Sequence, residues 1–319
     1  MKEMGIKGVD LLVSFTCNSH CMHCSYNCGI RRKGIMDASD GRCYIHALCK
    51  QHDIEWLSVI GGEPLMVPDL TNELIRCAKE NGIPHRGVIT NGFWGREAKG
   101  AQKILKDLKD VGMNQITFSV DAFHQEHIPF SHVRNAIMAS TDIGFDKVWV
   151  DGYYLKYEDS SNRFDKQTKA LLNELRGTEG IDINTYRLRM CGRAVGLQDH
   201  FDDKSVPHGI CTPPFWMGGG FDNPSTIEID HRGNVTLCPG ISIGNAKEDE
   251  ITAIVQTYDV CEHPILSIIN EEGPIGLAKL ADNFDLSRGF VDHCHLCYEL
   301  RKHLRPLYPR YLTPADVYQ

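Results

Sequence analysis

The chain has 319 residues, 42% of them hydrophobic, enough to bury one large core or a core with a smaller appended unit. A net charge of −8 argues against a general nucleic-acid binder, which needs a basic surface to face phosphates. No segment approaches the length of a bilayer span and no amino-terminal run has signal-peptide form, so no membrane role is expected and a cytoplasmic location is the default. The 13 cysteines are an odd number and cluster at 17, 21, 24, 28 and at 294, 297, which favours metal ligation in a reducing compartment over a disulfide framework.

From residue 9 to about 190, short β-rich runs alternate with helical ones. Strands are expected at 9–15, 55–60, 85–90, 115–120, 147–153 and 181–190, with helices at about 40–51, 69–81, 97–110, 131–141 and 164–176. Stop signals such as Glu80-Asn81-Gly82 and Asp110-Val111-Gly112 close several of the helices. Six β/α units in succession predict a parallel sheet with helices outside, where the loops after the strands build the site. The first cysteines, a glycine pair and an Asn-Gly pair all fall on that face. Residues 198–225 are rich in Asp, Gly and Pro and read as loop. A hairpin is expected over 225–230 and 235–238 around His231-Arg232-Gly233-Asn234, then helices at about 250–259 and 263–282 and the pair Cys294/Cys297. A boundary is placed near 198, dividing 1–197 from 198–319.

Cys17, Cys21 and Cys24, in FTCNSHCMHC, form a C-x3-C-x2-C run directly after the first expected strand. Three thiolates can hold three irons of a [4Fe–4S] cubane and leave the fourth open for a cosubstrate, whereas an electron-carrying cluster normally has four. Zinc normally takes four ligands in two pairs, and no second pair stands nearby. Cys28 extends the run, and as a fourth ligand it would close the site into a plain electron carrier. The spacing resembles the signature of the radical S-adenosylmethionine (radical SAM) enzymes. The resemblance implies that the open iron is chelated by the methionine moiety of SAM. Reductive cleavage, fed by a flavodoxin- or ferredoxin-type reductant, then gives a 5′-deoxyadenosyl radical that abstracts hydrogen from a substrate.

The rest of the expected SAM site follows the strand ends. Gly61-Gly62-Glu63-Pro64 resembles the family's GGEP element beside the methionine amino group, and glycine there lets backbone approach a ligand. His23 takes the place of a side chain packed near the adenine, although a loop histidine is the plain reading. Asn91 of Thr90-Asn91-Gly92, with Ser119 and Asp121 of Ser119-Val120-Asp121, supplies polar atoms toward the ribose and methionine. Asp121 is equally a helix-start residue. Arg193 in Gly192-Arg193-Ala194 resembles a cation that pairs with the SAM carboxylate, with Arg187 and Arg189 as rivals.

Cys211, Cys238, Cys294 and Cys297 resemble the ligand set of the auxiliary-cluster "twitch" extension, a truncated relative of the SPASM domain. Four thiolates imply a second [4Fe–4S] cluster; zinc is the competitor, with His293 and His295 as spare ligands. Cys191 and Cys261 are possible swaps. Cys43, Cys49 and Cys77 read as buried helix thiols. The fold class expected is thus α/β, a partial (β/α)6 radical SAM barrel followed by a small α+β iron–sulfur unit.

Within the superfamily, the texture is similar to the epimerases of ribosomally made peptides, through Thr90-Asn91-Gly92-Phe93-Trp94-Gly95, Asp121-Ala122-Phe123-His124 and the hairpin to Cys238. Trp94 and His124 are therefore candidate substrate contacts, with plain packing the equal alternative for each. One departure matters: the hydrogen donor expected directly after Cys238 is Pro239, which has no hydrogen to give. Cys191, Cys261 or Cys28 would have to serve. Otherwise the substrate is oxidised or cross-linked, with its electron passing to the auxiliary cluster. A small-molecule dehydrogenase acting on an aminocyclitol or sugar is the second enzyme reading, and a non-catalytic iron–sulfur carrier the contrasting one.

Overall fold

The computed structural model describes residues 4–319. Its elements, in chain order, are β1 (Gly8–Leu12), α1 (Ala38–Gln51), β2 (Trp56–Ile60), α2 (Pro68–Glu80), β3 (His85–Thr90), α3 (Ala98–Asp110), β4 (Gln115–Ser119), α4 (Ala122–Gln125), α5 (Phe130–Ile143), β5 (Lys147–Tyr154), α6 (Arg163–Asn173) and β6 (Asp182–Arg187), followed by β7 (Thr226–Asp230), β8 (Asn234–Cys238), β9 (Ile241–Asn245), α7 (Ile251–Thr257), α8 (Leu266–Glu272) and α9 (His293–Leu304). One sheet contains all nine strands in the order β6-β5-β4-β3-β2-β1-β7-β8-β9. Strands β1 to β6 are parallel neighbours, β7 lies parallel to β1, and β8 and β9 return antiparallel. The α/β class with a parallel sheet is therefore as expected.

Strand alternation sorts side chains to the two faces. In β5, Val148, Val150, Gly152 and Tyr154 are buried against the main core, while Trp149, Asp151 and Tyr153 point the other way. In β2, Leu57 and Val59 are buried while Ser58 and Ile60 are only half-buried. The face opposite the helices holds a cavity of about 310 Å³, lined by residues in or just after each of β1 to β7. Laid flat at ~4.8 Å per strand, β6 and β7 would stand about 29 Å apart, so only a curved sheet lets both reach one cavity.

Several boundaries differ from expectation. The helix expected over 263–282 breaks after α8, where Gly273 has φ +75 and Pro274 follows; proline removes a helical donor and restricts the residue before it. The strand expected to reach 190 ends at Arg187. Strand β9 and helix α9 were not expected at all. Helix α9 carries its own start signal, since the Asp292 side chain accepts from the His295 N–H at 2.8 Å. Cys43 is exposed rather than buried, on the side of α1 away from Tyr44, Ile45 and Leu48. Among the described residues, no helix is long and apolar enough to cross a membrane.

Candidate active site

Cys17, Cys21, Cys24 and Cys28 all line the cavity. Burial pushes the Cys17 thiol up to about 12 and Cys21 well above its usual value. Cys24 moves the other way, down to about 6, because the Cys28 thiol hydrogen-bonds to it. The Cys28 backbone N–H also donates to Cys24 Sγ at 3.3 Å. The loop is fastened from outside. Arg193 donates from Nε to the Cys21 carbonyl (2.9 Å) and from Nη1 to Asn27 Oδ1 (2.9 Å), and its own N–H donates to the Cys24 carbonyl (3.1 Å). Asn27 takes φ +57 and donates from Nδ2 to the Asp316 and Gln319 carbonyls, at 3.1 and 2.6 Å.

Gly61 and Gly62 stand in the cavity wall, with backbone so near the first loop that a Cβ on either would run into the carbonyl of Ser14 or Thr16. Glu63 points inward, 1% exposed, and accepts from the Leu65 N–H (3.1 Å), Thr90 Oγ1 (2.8 Å) and the Asn91 N–H (2.8 Å). Burial pushes its carboxyl up to about 7 while those donors pull it down. Glu63 therefore clamps the glycine loop to the end of β3. Pro64 is buried behind it, starts a short 3₁₀ turn and does not reach the cavity. Asn91 does line the cavity and donates from Nδ2 to Asn18 Oδ1 at 2.8 Å.

His23 packs face-on against Phe123, 4.8 Å between ring centres, and edge-on against His124 at 4.7 Å. Burial drops its pKa to about 3, so the ring is neutral, and its Nδ1 is buried without a partner. Ser119 and His124 line the cavity; Asp121 does not. Asp121 caps α4, accepting from the Phe123 and His124 N–H groups, and binds His124 Nδ1 at 2.9 Å. Against the upward push of burial, the two histidines hold its carboxyl at about 2. Against the downward push of burial, Asp121 in turn raises His124. The helix-start reading of Asp121 is thus what the geometry supports. Trp94 is also displaced from its expected place: it is a core side chain whose Nε1 donates to Thr90 Oγ1 at 3.1 Å, outside the cavity wall.

The carboxy-terminal cysteines gather on the far side. Burial first, then Cys297, Cys191 and Cys211, pushes the Cys238 thiol up. Cys294 is raised by burial, with Cys191 and Cys238 among its neighbours. Cys191 lies between the two cysteine sets, its Sγ donating to Ser25 Oγ at 3.3 Å, and is outside the cavity wall. Cys261 is exposed and is not in the cavity wall. Pro239 and Arg189 line the cavity, whereas the rival Arg187 does not. Arg189 reaches Cys294 Sγ at 3.8 Å and lies 5.3 Å over the Trp216 ring.

Sequence reasoning missed three carboxylates. Asp10, Glu228 and Asp151 line the cavity, and burial pushes them up to about 7, 8 and 6. Asp10 and Glu228 are register partners on β1 and β7, and the Tyr26 hydroxyl donates to Glu228 at 2.5 Å. The signal was present: each is an acidic residue inside an expected strand, between apolar or glycine neighbours.

A mononuclear tetrahedral zinc would need thiolates about 3.8 Å apart, given Zn–S bonds of ~2.3 Å. Among the described residues, the one set of three ligand atoms within 4.8 Å of one another is His23, Asp121 and His124, not any three thiols. An open cavity stands beside the Cys17/Cys21/Cys24 loop. A family model for the radical SAM superfamily matches residues 11–158. The chain carries a radical SAM domain. That domain, just under half of the chain, is the one radical SAM enzymes share, and for it a SAM-binding [4Fe–4S] cluster is implied. YydG of Bacillus subtilis (strain 168), named for peptide biosynthesis, is 26% identical over 133 residues, 41% of this chain and 41% of that protein. GTP 3',8-cyclase of Aquifex aeolicus (strain VF5) is 28% identical over 192 residues, 55% of this chain and 57% of that protein. The chain thus spans less than two thirds of the length of these curated relatives. The radical SAM domain and its carboxy-terminal continuation also share a fold with anSMEcpe, solved with bound AdoMet and the Cp18Cys peptide. That likeness has a TM-score of 0.52 at 13% identity and covers 95% of this chain and 97% of the other.

Proposed function

We propose that this chain removes hydrogen from a peptide residue and leaves it oxidised. Cys17, Cys21 and Cys24 would hold the first [4Fe–4S] cluster, and Cys211, Cys238, Cys294 and Cys297, in the unit after residue 197, a second. The observation that carries the reading is the cavity itself. Its wall runs from the first cysteine loop and Gly61-Gly62, past Asn91, Ser119 and His124, to Pro239 and Arg189 beside the second thiol set. Bound there, the first cluster and its sulfonium cosubstrate would supply a hydrogen-abstracting carbon radical, and the second cluster an electron acceptor.

The second thiol set fits such a cluster on two counts. No three of its sulfurs come close enough for a single zinc ion, and a buried guanidinium, Arg301, faces them with Nε unpartnered. The chain's own residues would do the rest. The glycine pair gives the cosubstrate a close backbone approach, with Asn91 and Ser119 as polar contacts. His23 presents a neutral ring held by Phe123. Arg193 and Arg189 both line the cavity; Arg193 is also tied to the cysteine loop, while Arg189 is the cation on the side of the second thiol set. With Nδ1 tied to Asp121, His124 keeps Nε2 to take up the proton that an oxidised substrate sheds. Epimerisation would need a hydrogen donor in the wall: Pro239 offers none and Cys191 lies outside it, which leaves Cys28, itself in the wall, as the thiol for that outcome.

The peptide substrate rests on the likeness to YydG and on the texture after β3 and β4. The likeness to GTP 3',8-cyclase favours the second reading, a small-molecule substrate. Protein reconstituted anaerobically with iron and sulfide should form 5′-deoxyadenosine from SAM and dithionite, or with a flavodoxin or ferredoxin as reductant. Cys28→Ala should do so as well, since the Cys28 contact that survives is a backbone one. An intact cluster that never cleaves SAM would instead mark an electron carrier. With a short peptide encoded beside this gene, the product should have lost two hydrogens by mass spectrometry; uptake of solvent deuterium without that loss would mark epimerisation.

A further inference from the structure

We infer that Arg301 and Arg189 are charge partners of the second iron–sulfur cluster, and that Arg301 raises its reduction potential. The inference rests on the second-cluster reading above. Cys294, Cys297 and Arg301 are spaced three and four residues apart on α9, so they share one helix face. Helical side chains lean toward the amino end, which lays the guanidinium over the turn that carries Cys297. Arg301 is 2% exposed and the largest fully buried side chain of the described residues. Its Nη1 donates to the Pro239 carbonyl at 2.8 Å and to Tyr318 Oη at 2.9 Å, and that hydroxyl donates on to the Gly240 carbonyl at 2.5 Å. The helix bearing two of the cysteines is thereby stapled to the turn that follows a third.

What Arg301 lacks is a counter-ion. Among the described residues no carboxylate pairs with it, and its Nε is buried without a partner. The ionisable groups that act on it most are Tyr318, Cys297, Cys238 and Cys191. A guanidinium stays protonated in proteins, and an unpaired buried charge is among the costliest features a fold can carry. A four-thiolate cluster is anionic, so it answers that charge. Arg189 adds a second cation, 3.8 Å from Cys294 Sγ and open to the cavity. Reduction adds a negative charge to the cluster, and nearby cations favour the reduced form. The arrangement suits a cluster that must accept an electron from the direction of the cavity.

The test uses the full chain with Cys17, Cys21 and Cys24 replaced by Ala, loaded anaerobically with iron and sulfide, so that only the second site contributes. Iron and zinc are counted first, and the cluster is then titrated electrochemically with an electron paramagnetic resonance readout. Arg301→Met should keep the iron and shift the midpoint to lower potential. Arg301→Lys should keep most of the parent value, and Arg189→Met should give a smaller downward shift. Loaded Met variants that both titrate at the parent potential would overturn the inference, as would Arg301→Lys shifting as far as Arg301→Met. If Arg301→Met fails to hold iron, Arg189→Met decides alone: a lowered midpoint supports the inference and an unchanged one overturns it. A parent protein that holds zinc or no iron would sink the second-cluster reading first, before any potential is measured.

Discussion

Glu228 offers a test of the cavity floor that needs no substrate. Its carboxyl is fully buried opposite Asp10, and burial pushes it up to about 8 from an ordinary 4.5. The folded chain therefore holds that proton more tightly than the unfolded chain does. Stability from this group is full below pH 4.5 and is lost as the pH rises through 8. At about 1.4 kcal/mol per unit, the loss between pH 5 and pH 8 comes to about 3 kcal/mol, a large share of a typical domain's 5–15 kcal/mol. Asp10, pushed up to about 7, adds to the same trend. Glu228→Gln keeps the shape and an acceptor for the Tyr26 hydroxyl but has no proton to lose. Urea unfolding of both proteins, anaerobic and at pH 5, 6.5 and 8, should show the difference tilting toward the variant by about 3 kcal/mol across that range. A difference that stays constant with pH would refute the reasoning.

Two further changes probe the wall and the helix start behind it. Gly62→Ala should cut 5′-deoxyadenosine formation at least about tenfold while iron content holds, because the new methyl has only the Thr16 backbone to displace; a wild-type rate would count against the close approach. Asp121→Ala removes the cap of α4 and the partner of His124 Nδ1, and should cost about 2 kcal/mol in denaturant unfolding. Asp121→Asn, which can still cap, should recover part of that loss.

The parallel sheet was legible because β1 to β5 are short apolar runs closed by helix stop signals such as Asn81-Gly82. The ends of elements were less so. Gly273-Pro274 was read inside a helix, and the His293-Cys294-His295-Leu296-Cys297 run was read as metal chemistry, although Asp292 and the apolar spacing of Leu296, Leu300 and Leu304 spell a capped helix. Within the site, the cysteines and the glycine pair were visible because their types and spacing carry chemistry locally. Trp94 and Asp121 were not separable from ligand contacts by spacing alone, since their partners, Thr90 and His124, are fixed only by how the loops fold back. The acidic floor escaped notice because it is a cross-strand property: Asp10 and Glu228 are 218 positions apart and meet only once β7 is laid against β1.

That pairing has a mechanical side. Because β7 is zipped to β1 along five residue pairs, the loop with the first three thiols and the hairpin ending in Cys238 rise from adjacent footings. Neither can tilt without dragging its neighbour. Strain introduced at one thiol site, by oxidation or by a misfitted ion, would therefore register as a distortion at the other.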